Sequence, residues 1–74
     1  MTGGEYSKAK EAINSGQPIS KKTFNDLVAL KEQHRKHIDK LTVMGDIKQA
    51  LYFRDKALEM VDLIERAEVY DEAS

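Results

Sequence analysis

The sequence predicts an all-α fold, and three observations carry that prediction. Apolar residues recur at helical spacing along three segments, glycine and proline interrupt the chain between them, and no stretch alternates as a half-buried strand does. The expected order is a short first helix over about 5–14, then a long antiparallel hairpin of helices over about 20–42 and 47–68. Residues 1–4 read as a flexible start, 5–70 as one helical domain and 71–74 as a flexible tail.

Seventy-four residues without cysteine bound the options. A chain of this size buries only about 60% of its unfolded surface, so it needs well-matched packing or a partner. Disulfides and cysteine-ligated metals are excluded by composition. Hydrophobic residues make up 41% of the chain, too many for a disordered one, even with 34% charged residues and a mean hydropathy of −0.60. A net charge of −1 gives no bulk attraction to nucleic acid or to a membrane surface. No apolar run approaches the roughly 18 residues of a membrane span, and the first residues do not resemble a signal peptide. A cytoplasmic location with no membrane partner is the expectation.

In the first segment Tyr6, Ala9 and Ile13 form a sparse apolar stripe on good helix formers. Gly16 stands where a C-terminal cap belongs, and Pro18 forbids continuation. Ser20 then suits an N-cap, with Ile19 and Phe24 spaced as a hydrophobic staple. Along the second helix Phe24, Leu27, Val28, Leu30, Ile38 and Leu41 fall within an arc of about 160°. Gly45 permits a tight reversal, and Asp46 with Gln49 three residues on fits a capping box. So short a connection makes the second and third helices an antiparallel pair.

The third helix is apolar over more than half its circumference: Ile47, Ala50, Leu51, Phe53, Ala57, Leu58, Met60, Val61, Leu63, Ile64 and Ala67. Its polar sector is narrow, comprising Lys48, Asp55, Glu59, Asp62 and Arg66. One hairpin partner covers a stripe of about 100°, and a ten-residue first helix covers only part of the rest. A second copy of the chain is the natural candidate for the remainder, giving a dimeric bundle. Tyr52, Phe53, Met60, Leu63 and Ile64 are the candidates for such a protein interface, with aromatic and methionine side chains as adaptable anchors. Core beneath the first helix or a second copy is the favoured reading for Phe53 and Met60 and stays open for Tyr52 and Leu63. Charge is also partitioned: residues 17–48 carry a balance of +3 and residues 49–74 a balance of −4. Antiparallel packing would set the basic helix beside the acidic one.

Chemistry finds few footholds. His34 and His37, with Glu32 and Asp39 nearby, invite a metal reading, but a spacing of three and the adjoining Arg35 and Lys36 argue for a packed and a solvated imidazole instead. Lys31, Arg35, Lys36 and Lys40 suggest a nucleic-acid helix, yet they point in different directions and acids interrupt them. There is no cysteine nucleophile, glycine-rich phosphate loop or serine elbow, so no enzyme and no cofactor are expected. Lys21, Lys22, Lys31 and Arg35 are the cations that could hold an anion.

Gly45-Asp46-Ile47-Lys48-Gln49-Ala50-Leu51, followed by Ala57-Leu58, resembles the second half of a tetratricopeptide repeat, although Ile38 stands where that family places a small residue. Ala50 with Arg54-Asp55 is similar to the UvrB/UvrC-type helical hairpin. Both families use hairpins for protein–protein contact, so the resemblance implies a binding module and transfers no site residues. The leading expectation is therefore a non-enzymatic adaptor or inhibitor that docks on a larger protein, of the kind phages and mobile elements encode by analogy. The alternatives are a nucleic-acid-binding dimer using the second helix, and an oligomer sequestering a small anionic ligand.

Overall fold

A computed structural model describes residues 1–71 of the chain. It contains α1 (Gly3–Asn14), β1 (Ile19–Ser20), α2 (Lys21–Met44), α3 (Ile47–Arg66) and β2 (Val69–Tyr70). The helical hairpin of α2 and α3 forms the body, and α1 lies along α3 at one end of it. The molecule is elongated, 47 × 22 × 20 Å.

Local chemistry sets each boundary. The Thr2 hydroxyl accepts from the Glu5 amide at 3.1 Å, so α1 begins at Gly3. The flexible start expected over 1–4 is thus shortened, because Thr2-x-x-Glu5 is itself an N-terminal signature. Gly16, at φ 76°, ends α1; its amide donates to the Ile13 carbonyl and that of Gln17 to Ala12. Gly45 repeats the arrangement at φ 82°, with its amide on Thr42 and that of Asp46 on Leu41. These paired bonds satisfy carbonyls that a helix end otherwise leaves open, and they need a left-handed residue that glycine supplies without strain. Asp46 serves both helices, because its side chain also accepts from the Gln49 amide at 3.3 Å and caps α3. Ser20 caps α2 as expected, accepting from the Thr23 amide at 3.1 Å.

One element was not expected. The sequence shows no strand and suggests helix fraying toward Tyr70, but α3 stops at Arg66 and Ala67 turns extended. Val69 and Tyr70 then pair in parallel with Ile19 and Ser20, and the Ile19 amide donates to the Glu68 carbonyl at 2.8 Å. The capping geometry of Ser20 already holds that stretch extended, and β-branched Val69 and aromatic Tyr70 suit a short strand. The flexible tail expected over 71–74 lies, from residue 72 onward, outside the described residues.

The core sits at the α1 end. Ile13, Ile19, Leu27, Met60 and Leu63 are buried together, with Tyr6, Phe24, Leu30 and Ile64 packed against them. Three residues one helical turn apart on α1 bind α3 at its edge. The Tyr6 phenol donates to Glu59 at 2.7 Å, Lys10 Nζ lies 2.9 Å from the same carboxylate, and Arg66 donates to the Asn14 side chain at 2.9 Å. Rising numbers on α1 meet rising numbers on α3, so the two run in the same sense. The strand that follows each of them therefore pairs in parallel.

The expected electrostatic match between α2 and α3 does not form. Among the described residues no salt bridge joins these two helices; ion pairs lie within α2, within α3, or between α1 and α3.

Candidate functional site

Two edges of α3 border its seam with α2, and α1 covers one of them. Met60 and Leu63, candidates for an interface, are only 3% and 1% exposed because Ile13 and Ile19 close over them. Of the two readings open for these residues, interface or core beneath the first helix, both side chains take the second, because α1 and the strand after it reach further along α3 than a ten-residue helix alone would. Ile64 packs half-buried against the same core. Phe53 is also half-buried, with the His34 and His37 rings set edge-on at centroid distances of 5.5 and 4.7 Å. Of the five, Tyr52 alone is exposed, and its ring stacks edge-on against Phe53 while Lys56 Nζ stands 5.7 Å above it.

The opposite edge is bare. Ile47, Leu51 and Leu58 are each more than half exposed, and Val43 and Met44 extend the apolar surface past the turn. Ala57, Leu58 and Val61 of α3 face Ile38 of α2 across an open groove of about 230 Å³. Lys31, Glu32, Arg35 and Arg54 line its rim. Glu32 is shared by Lys31 at 3.5 Å and Arg35 at 3.6 Å, whereas Arg54 has no ion-pair partner among the described residues. The sequence contained this edge, since its residues belong to the wide apolar arc. What it did not reveal was which edge α1 would take. The row of Tyr6, Lys10 and Asn14 opposite Glu59 and Arg66 is the signal that could have shown it.

The four cations considered for an anion do not converge. Lys31 and Arg35 line the groove just described. Lys22 lines a separate groove of about 340 Å³ between α1 and the start of α2, which Glu5, Lys8 and Asp26 also line. Lys21 is exposed and lines neither.

The histidines pack rather than gather ligands. His34 Nδ1 donates to the Leu30 carbonyl at 3.0 Å, which places its proton on that nitrogen. Among the described residues no group of three or more histidine and carboxylate side chains is arranged to hold a metal ion. His37, expected to be solvated, is exposed yet keeps one ring edge against Phe53. No described helix is long and apolar enough to cross a membrane.

The strongest electrostatic perturbation belongs to the α1 latch. The Tyr6 hydrogen bond, and then that of Lys10, holds the Glu59 carboxyl below the usual glutamate range. Burial, followed by the same hydrogen bond to Glu59, pushes the Tyr6 phenol well above its ordinary value. This pair anchors a helix and stands apart from the bare groove.

No family model matches the chain, and no curated protein or solved structure is significantly similar to it.

Proposed function

We propose that this protein is a non-enzymatic interaction module, a small helical adaptor or inhibitor that docks on a larger protein through the uncovered edge of α3. The bare row of Ile47, Leu51 and Leu58 beside the groove carries this reading. Half-exposed leucines and isoleucines each forgo about 1 kcal/mol of burial, which a partner would recover. Aliphatic floor and charged rim is also the composition of protein interfaces, with an apolar centre ringed by polar groups. The likeness of Gly45–Leu51 to hairpins that contact other proteins points the same way.

The nucleic-acid alternative draws on Lys31, Arg35, Lys36 and Lys40 of α2, but only Lys31 and Arg35 line the groove, and an apolar groove is a poor bed for phosphates. Sequestration of an anion is weaker still, because its four candidate cations are dispersed.

Affinity capture from the native host tests the proposal. The intact chain is compared with a Leu51→Asp/Leu58→Asp variant whose helicity is verified by circular dichroism. Wild type should retain a defined protein, with little loss between low and moderate salt, and the variant should not. Equal capture by both would remove the α3 edge as the docking face. Retention of nucleic acid that falls steeply with salt would favour the alternative.

A further inference from the structure

Along the bare edge of α3, Ile47, Leu51, Arg54, Leu58 and Val61 recur at alternating steps of four and three. That is the spacing with which one helix offers a continuous seam to another. From Ile47 to Val61 the seam rises about 21 Å, four turns, so a helix of similar length fits it. The groove beside it, at about 230 Å³, accommodates inserted side chains better than a whole small molecule, whose pockets run from about 300 Å³ upward.

The middle residue of this seam is a cation. Arg54 stands between Leu51 and Leu58 with no ion-pair partner among the described residues, and Lys31 and Arg35 of α2 line the same groove. The groove lining thus holds three cations against the single carboxylate of Glu32. Charge on the other side of the seam has the opposite sign: Asp55 and Asp62 follow Leu51 and Leu58 by four residues, turned away from α2. Asp62 is already held by Arg66 at 2.9 Å.

The two pairings that lay this seam on that of a second copy along its full length both oppose like charges. A parallel symmetric pairing sets each seam residue on its own counterpart, Arg54 included. An antiparallel pairing that matches Leu51 with Leu58 and Ile47 with Val61 is centred on Arg54 and again stacks arginine on arginine. Like charges desolvated at the centre of an interface are a strong penalty, whereas a different helix can supply the complementary group.

We propose that the α3 seam docks an amphipathic helix of another protein that sets a carboxylate against Arg54 and turns an acidic flank toward Lys31 and Arg35. Apolar side chains of that helix, at its own steps of four and three, fill the spaces beside Leu51, Leu58 and Val61. This inference rests on the docking-face reading above and specifies the partner's chemistry.

The test uses the intact chain and two synthetic amphipathic peptides of about 18 residues. Both carry leucine at alternating steps of four and three. One has glutamate at the central seam position and along one flank, and the other has lysine at those positions. Binding is followed by amide chemical shifts. The glutamate peptide should bind roughly tenfold tighter than the lysine peptide and shift Leu51, Arg54 and Leu58. Arg54→Glu should reverse the preference, and Leu58→Asp should abolish binding while leaving the remaining helical shifts in place. Equal affinity for both peptides, lost in Leu58→Asp, would overturn the acidic partner while leaving the docking face intact. Failure of the glutamate peptide to bind at millimolar concentration, or binding indifferent to Leu58→Asp, would also overturn it. So would a concentration-dependent dimer of the chain alone that Leu58→Asp dissociates.

Discussion

The two edges of α3 are built from the same residue types and meet opposite fates. On one, Met60 and Leu63 disappear beneath α1 and the Ile19 segment; on the other, Leu51 and Leu58 remain 52% and 55% exposed. Hydrophobicity alone does not separate them. What separates them is polar complementarity, since the covered edge borders Glu59 and Arg66, and α1 presents Tyr6, Lys10 and Asn14 to those two residues. The bare edge borders Arg54, and α1 offers it nothing.

The comparison breaks most sharply at Leu63. Leu63→Ala should cost about 2–5 kcal/mol, because the side chain is fully buried and its neighbours relax only in part. A urea unfolding midpoint, with an unchanged slope, measures it. The turn joining α2 to α3 comes next. Gly45→Val should destabilise by about 1–2 kcal/mol, since a β-branched side chain at φ 82° is strained even though open space surrounds it. A loss near zero would mean that the turn relaxes.

The latch of the covered edge should respond less. Tyr6→Phe removes one donor from Glu59 while Lys10 remains, for a loss of about 0.5–1.5 kcal/mol. Its pH dependence is more telling than its size. A carboxyl whose folded pKa is lowered contributes stability above the ordinary value of about 4.3 and loses it as pH falls through the folded value. The difference between wild type and Tyr6→Phe should therefore shrink as the solution is acidified below that range. For the phenol the sign reverses: its raised pKa supports the fold below about 10, and that support is lost as alkali is added. Parallel urea midpoints for both proteins across pH would show either trend. Smallest of all is Leu58→Asp, which should move isolated-chain stability by no more than about 0.5 kcal/mol. A loss comparable with that of Leu63→Ala would make the two edges equivalent after all.

Boundaries governed by neighbouring residues were legible in the sequence. Gly16 before Pro18, Ser20 ahead of Phe24, and Gly45-Asp46 each stop or start a helix through bonds spanning a few positions. The hairpin followed from the shortness of the turn. Two kinds of feature stayed hidden. The pairing of Ile19 and Val69 joins stretches with no local strand signature, because capping in one and helix termination in the other leave them extended. The choice of edge on α3 was hidden because a helical wheel shows how wide an apolar arc is, not which neighbour covers which part. For that reason the sequence leaves open whether Leu63 is core or interface, and does not single out Leu51 and Leu58 as the uncovered part of the arc.

The parallel clasp also bears on the order in which the chain assembles. Ile19 and Val69 lie fifty positions apart, a separation whose closure in an open chain carries a substantial entropic cost. Once α2 and α3 have zipped from their turn, however, both stretches already lie at the same end of the hairpin. The clasp then closes a short gap. Contacts of low sequence separation near Gly45 should accordingly form early and set the folding rate, with α1 and the clasp joining late. Ile19→Ala would then accelerate unfolding and leave the folding rate nearly unchanged, while a change at Leu41 or Ala50 would slow folding itself.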